Sequence, residues 1–150
     1  MNETRTIRSN EMHDFYEAWR IAYSKYSEIL PGHHLSFPEA LLKKIAKKID
    51  SSLTESKKPY DFEGNIEMKS VTYNKGNSHF STSQTDCKRI LYFVISSDEF
   101  EYYDITNASI LKKINSIVSK AKENKEKGAN IVLSNFTKDI EPIKIKFSQE

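Results

Sequence analysis

Three ionisable residues, Asp61, Glu67 and Lys69, fall within the run Pro59-Tyr60-Asp61-Phe62-Glu63-Gly64-Asn65-Ile66-Glu67-Met68-Lys69, and their types and spacing suit divalent-cation chemistry. Side chains alternate along a strand, so Ile66 and Met68 share one face while Glu67 and Lys69 share the other, and Tyr60 and Phe62 lie opposite Asp61. If Glu63-Gly64-Asn65 forms a three-residue loop with Asn65 left-handed, Phe62 pairs with Ile66, Asp61 with Glu67 and Tyr60 with Met68. The expected hairpin has one greasy face and one charged face. Two carboxylates set across from each other destabilise a sheet unless a cation sits between them. A divalent metal ion fills that need, and Lys69 stands beside it.

The acidic-x-Lys spacing recurs as Glu55-Ser56-Lys57 and Glu123-Asn124-Lys125 in a chain that is 29% charged. Neither copy is interleaved with apolar residues in strand alternation, and neither has an Asp in reach on a preceding strand. Only the Glu67 copy is placed for chemistry. Its plainer alternative is a solvent-exposed hairpin face carrying a Glu-Lys pair.

On Asp61 and Ile66-Glu67-Met68-Lys69-Ser70 the chain resembles the PD-(D/E)XK nuclease superfamily, in particular small type II restriction endonucleases. It departs in Pro59, which stands two positions before the Asp instead of beside it. Leu35 to Leu42 looks like the start of the helix that precedes the catalytic hairpin in many restriction enzymes, where a Glu, here Glu39, approaches the metal. Ser36-x-x-Glu39 also reads as a capping box, and the two roles are compatible. The resemblance covers roughly residues 36–105 and implies an α/β, restriction-endonuclease-like three-layer fold, a central mixed sheet flanked by helices. It further implies Mg²⁺-dependent hydrolysis of double-stranded DNA at a short specific sequence. Asp61, Glu67 and the main-chain carbonyl of Met68 would hold Mg²⁺, Lys69 would orient the attacking water, and a second metal could involve Glu39. By the same resemblance the active form is a homodimer cutting a palindrome, with a cognate DNA methyltransferase in the same system. Two alternatives stay open: another nuclease of the superfamily, of resolvase or repair type, and a non-catalytic nucleic-acid-binding or interaction module.

At 150 residues the chain reads as one domain, with a core but no room for a separate recognition domain. A net charge of +2 is compatible with a nucleic-acid partner without requiring one. No signal peptide or membrane-length apolar run is present, so a soluble cytoplasmic protein with no membrane association is expected. A single Cys87 excludes an internal disulfide and a cysteine zinc site, and reads as a small buried side chain.

The elements that must position the site follow from periodicity. Met12, Phe15, Trp19, Ala22, Tyr26 and Ile29 predict a helix from about residue 10 to 30 that packs by these side chains and stops at Pro31-Gly32. A second helix spans about 37–50, with Ala40, Leu41, Ile45 and Ile49 inward and Lys43, Lys44, Lys47 and Lys48 outward. The polar run 72–88 reads as a solvated loop beside the active face, and Lys75, His79 and Gln84 within it are the candidate DNA contacts. Ile90 to Ile95 predicts a buried central strand, with Phe100 to Ile105 its hairpin partner. A third helix over about 108–127 turns Leu111, Ile114, Val118 and Ala121 inward, carries a basic outer stripe and stops at Gly128. Ile131 to Leu133 and Ile143 to Phe147 predict short closing strands, the last at a sheet edge.

Overall fold

The computed structural model describes residues 3–72 and 76–150; Lys75 lies outside the described residues. Along the chain run β1 (Thr4–Arg8), α1 (Asn10–Ile29), α2 (Glu39–Ile49), β2 (Ile66–Thr72), β3 (Ser78–Ser81), β4 (Arg89–Ile95), β5 (Phe100–Ile105), α3 (Ala108–Glu123), β6 (Gly128–Ile131), a 3-10 turn at Leu133–Phe136, and β7 (Ile143–Ser148). Five strands form a mixed sheet in the order β1-β7-β5-β4-β2, and β3 pairs with β6 in a separate antiparallel ribbon.

Strand β4, which lies between β5 and the edge strand β2, explains the layering. Along β4, Leu91, Phe93 and Ile95 face one way and Ile90 and Tyr92 the other, and all five are buried. Strand alternation thus feeds two cores at once. One core joins Leu91, Phe93 and Ile95 to Trp19 and Tyr23 of α1, Leu42 and Ile45 of α2, and Phe62 and Met68. The other joins Ile90 and Tyr92 to Leu111, Ile114 and Val118 of α3, and to Phe80 and Ile131 of the ribbon. Each large apolar side chain withdrawn from water in this way contributes about 1.5–3 kcal/mol. The architecture is therefore α/β: helices α1 and α2 over one sheet face, α3 and the ribbon over the other. Arg89 ties the layers together, donating to both oxygens of Asp104 on β5 (2.8 and 2.9 Å) and to Asp50 after α2 (2.8 Å). Among the described residues no helix is long and apolar enough to cross a membrane.

Several sequence expectations are corrected. The capping box is absent: α2 begins at Glu39 after Pro38, with no side-chain cap. Helix α1 buries Met12, Trp19 and Tyr23, whereas Phe15, Ala22 and Ile29 are exposed, so its apolar arc is wider than the face it buries. Helix α2 buries Leu42, Ile45 and Ala46, and Ala40 is exposed. Strand β7 is internal, because β1 pairs with it in parallel and covers the expected edge. The polar run after β2 is not simply a solvated loop, since it contains β3 and buries Phe80, Gln84 and Cys87.

Gly128 does not stop α3, which ends at Glu123. It begins β6 and permits a close crossing: a Cβ there would lie 2.5 Å from the Phe80 carbonyl oxygen and 2.5 Å from Cε1 of His79. The carbonyl belongs to a paired strand and cannot give way without moving the ribbon. Gly128→Ala is therefore expected to cost about 1–3 kcal/mol in denaturant unfolding. A variant that unfolds at the wild-type midpoint would show that the ribbon is packed more loosely than this.

Candidate functional site

The turn before β2 forms as its residues demand. Gly64 and Asn65 both adopt positive φ (88° and 59°), the two residue types for which this is least costly. Phe62 and Ile66 then exchange backbone hydrogen bonds, Phe62 N–H to Ile66 O at 3.0 Å and Ile66 N–H to Phe62 O at 3.4 Å. The pairing stops there, so the expected hairpin is one bridge long and β2 instead pairs in parallel with β4. Beyond that bridge side chains replace the ladder: Met68 N–H donates to Asp61 Oδ2 at 2.8 Å, and Asp61 N–H donates to Glu67 Oε1 at 3.2 Å. Because Asp61 is not in a regular strand, Tyr60 does not share a face with Phe62 but packs in the opposite core. The N–H and C=O of a strand residue point to the same side, so the Met68 carbonyl also faces the open edge of β2 where Asp61 lies.

Glu67 is buried, not exposed on a charged face. Its Oε2 accepts from the Gln84 amide at 2.5 Å and meets Lys69 Nζ at 3.0 Å. Burial, with the nearby Asp61 carboxylate as the next cause, pushes its pKa up to about 7, and the Lys69 ammonium opposes the shift. The ammonium is fixed by further contacts, donating to the His79 carbonyl and standing 4.7 Å from the Phe80 ring centre. Asp61 Oδ1 faces Lys43 Nζ of α2 at 3.5 Å.

These groups line one pocket of about 410 Å³, which brings together Glu39, Asp61, Glu67, Lys69, His79 and Gln84 of the residues singled out from sequence. His79 is exposed on β3, with Nδ1 3.1 Å from Asn130 Oδ1. Gln84 differs from expectation. It is buried, its amide donates to Glu67 Oε2 and to Pro59 O, and its Oε1 accepts from Ser81 N–H, so it holds Glu67 in place and has no donor left for a base edge. Sequence reading missed Lys43; the available signal was its spacing of four from Glu39, which puts both on one helix face. Cys87 is buried, which pushes its thiol up to about 11, outside the range of a nucleophile.

Glu39 lines the pocket, yet no group of three or more His, Cys, Asp or Glu among the described residues is arranged to hold a metal ion. Two carboxylates and a backbone carbonyl fit a small hard cation that keeps several waters and takes further oxygens from a phosphate. They do not fit a zinc site. Comparisons with protein-family models, with curated proteins and with solved structures find no match to this chain.

The raised pKa of Glu67 has a defined consequence for the metal-free protein. Between about 4.5, its ordinary value, and about 7, the folded chain retains a proton that the unfolded chain has released. Stability must therefore fall as pH rises through this window, by on the order of 1–3 kcal/mol. Burial raises Glu101 in the same direction, so the comparison is with Glu67→Gln, which should flatten the pH slope of denaturant midpoints. Identical slopes in the two proteins would mean that Glu67 ionises freely.

Proposed function

We propose that the protein is a Mg²⁺-dependent endonuclease that hydrolyses phosphodiester bonds in double-stranded DNA, a type II restriction endonuclease of the PD-(D/E)XK superfamily with the corresponding fold. The observation that carries this reading is the meeting of Asp61, Glu67 and Lys69 in one pocket, with the paired acid on a turn and the Glu-x-Lys on the adjoining strand. Asp61, Glu67 and the Met68 carbonyl would hold Mg²⁺. When bound, Mg²⁺ supplies charge for the phosphate oxygens and a water of lowered pKa. Glu67 is kept in its rotamer by Gln84 and by the Asp61 N–H, so the ligand set is preorganised. Lys69, already directed into the pocket by the His79 carbonyl, orients the attacking water and offsets phosphate charge. Water adds to phosphorus as the bond to the 3′ oxygen breaks, leaving 5′-phosphate and 3′-hydroxyl ends. As a restriction enzyme it would act as a homodimer on a palindrome, protected by a cognate DNA methyltransferase. His79, exposed at the pocket rim, is the retained candidate for DNA contact.

The test is cleavage of plasmid DNA with Mg²⁺ by conservative variants, because Asp61 also caps the Met68 N–H and alanine there would remove a structural bond. Asp61→Asn, Glu67→Gln and Lys69→Ala should each lose at least about 100-fold in rate. Lys69→Ala should still bind Mn²⁺ in a calorimetric titration, since an ammonium is not a metal ligand. Wild-type cleavage by Asp61→Asn or Glu67→Gln would remove the catalytic reading, and preference for branched over plasmid DNA would redirect it to a structure-selective nuclease.

A further inference from the structure

Lys43 belongs to the lysine-rich side of α2, whose residues read as a solvated face. The four lysines there are not equivalent. Lys44 and Lys48 are exposed and Lys47 is held by Glu55, whereas the Lys43 side chain is only 26% exposed and lies 3.5 Å from Asp61 Oδ1. Asp61 Oδ2 is committed to Met68 N–H. Lys43 thus sits on the Asp61 oxygen that a cation entering the pocket would need.

Two features make this contact exchangeable. An ion pair of this length at a partly solvated site is weak, and its lysine reaches the carboxylate on a flexible stem. A groove of about 450 Å³, lined by Glu39, Ala40, Lys43, Lys44, Lys47 and Glu55, adjoins the pocket through Glu39 and Lys43. A displaced ammonium therefore has open space within reach, with the carboxylates of Glu39 and Glu55 to offset the neighbouring lysines.

We propose that Lys43 is a phosphate-positioning residue, acting as the counter-ion of Asp61 in the metal-free protein and transferring to a backbone phosphate of bound DNA when a divalent cation takes Asp61. The inference rests on the nuclease reading above and deepens it. The physical sequence is simple. A divalent cation at Asp61 repels an ammonium at ion-pairing distance. Lys43 is thereby freed of its Asp61 partner, and in a complex a DNA phosphate at the pocket mouth competes for its ammonium with Glu39 and Glu55 of the adjoining groove. Cation loading and DNA grip are then coupled through one side chain, each favouring the other.

The test compares wild type with Lys43→Ala, Lys43→Gln and Lys43→Arg by two binding measurements. Calorimetric titration with Mn²⁺ should show Lys43→Ala and Lys43→Gln binding about two- to five-fold more tightly, because the competing ammonium is gone. Binding to a labelled DNA duplex in Ca²⁺, followed by fluorescence anisotropy across a salt series, should weaken in both variants, with the log-log salt slope shallower by about 0.9, the share of one phosphate contact. Lys43→Arg should retain the wild-type slope. An unchanged slope in Lys43→Ala and Lys43→Gln would overturn the proposal, leaving Lys43 as a counter-ion only; weaker Mn²⁺ binding in those variants would also overturn it. A wild-type protein that binds neither Mn²⁺ nor DNA would take the nuclease reading down as well, whereas one that binds both with slopes unmoved by Lys43 would sink this inference alone.

Discussion

The carboxylate of Glu67 is the constraint on which its surroundings depend. It is 3% exposed on a strand whose other buried side chains are apolar. A carboxylate so placed costs several kcal/mol unless donors surround it, a cost that a well-packed apolar residue of similar size would avoid. The donors come from three separate segments: the Asp61 N–H from the turn, the Gln84 amide from the segment after β3, and the Lys69 ammonium from β2 itself. Each delivery dictates local structure. The turn must fold back at Gly64 and Asn65, and the segment after β3 must come inward so that Gln84 can reach both Glu67 and Pro59. Even so, burial prevails over these donors and Glu67 titrates near neutrality. A fold that keeps an acid under this strain has an electrostatic reason to welcome a cation, and strongly perturbed acids in pockets are where function concentrates.

What the sequence disclosed and what it hid divide along the range of the interactions involved. Strands β4 and β5 and helix α3 were legible because their apolar residues follow local periods that survive into the packed state: Leu111, Ile114, Val118 and Ala121 are the buried side of α3. The facing of α1 was not, because Phe15, Ala22 and Ile29 are apolar yet exposed, and exposure of apolar residues carries no sequence mark. Strand β1 has a single buried residue, Ile7, and its partner β7 lies at the other end of the chain, so neither pattern nor proximity announces it. The site followed the same rule. Asp61, Glu67 and Lys69 are close in sequence and were recognisable. Gln84 looked like a surface donor because only the tertiary fold turns it inward against Glu67, and Lys43 looked like a solvated lysine because only tertiary packing brings α2 beside Asp61.

On the nuclease reading, the charge in the pocket would set the order in which a cation and a phosphate enter it. Among its lining residues three acids, Glu39, Asp61 and Glu67, face three lysines, Lys43, Lys58 and Lys69, so the fully ionised pocket is balanced. A phosphodiester alone gains little from such a wall, since two of the three lysines that would attract it are engaged by carboxylates. Lys69 is bound to Glu67 and Lys43 faces Asp61. On the nuclease reading a divalent cation would change this in two ways: it would shift the local charge to net positive, and it would take over the carboxylates that occupy the ammonium groups. The lysines would then become available to an anion at the moment an anion becomes favoured. Depth in the pocket agrees with this order, for the carboxylate side chain of Glu67 is 4% exposed, while those of Lys69 and Lys43 are 18% and 26% exposed. With Glu67 at the floor and the ammonium groups of Lys69 and Lys43 nearer the mouth, a cation held low in the pocket would leave those ammonium groups beside a phosphate entering from above.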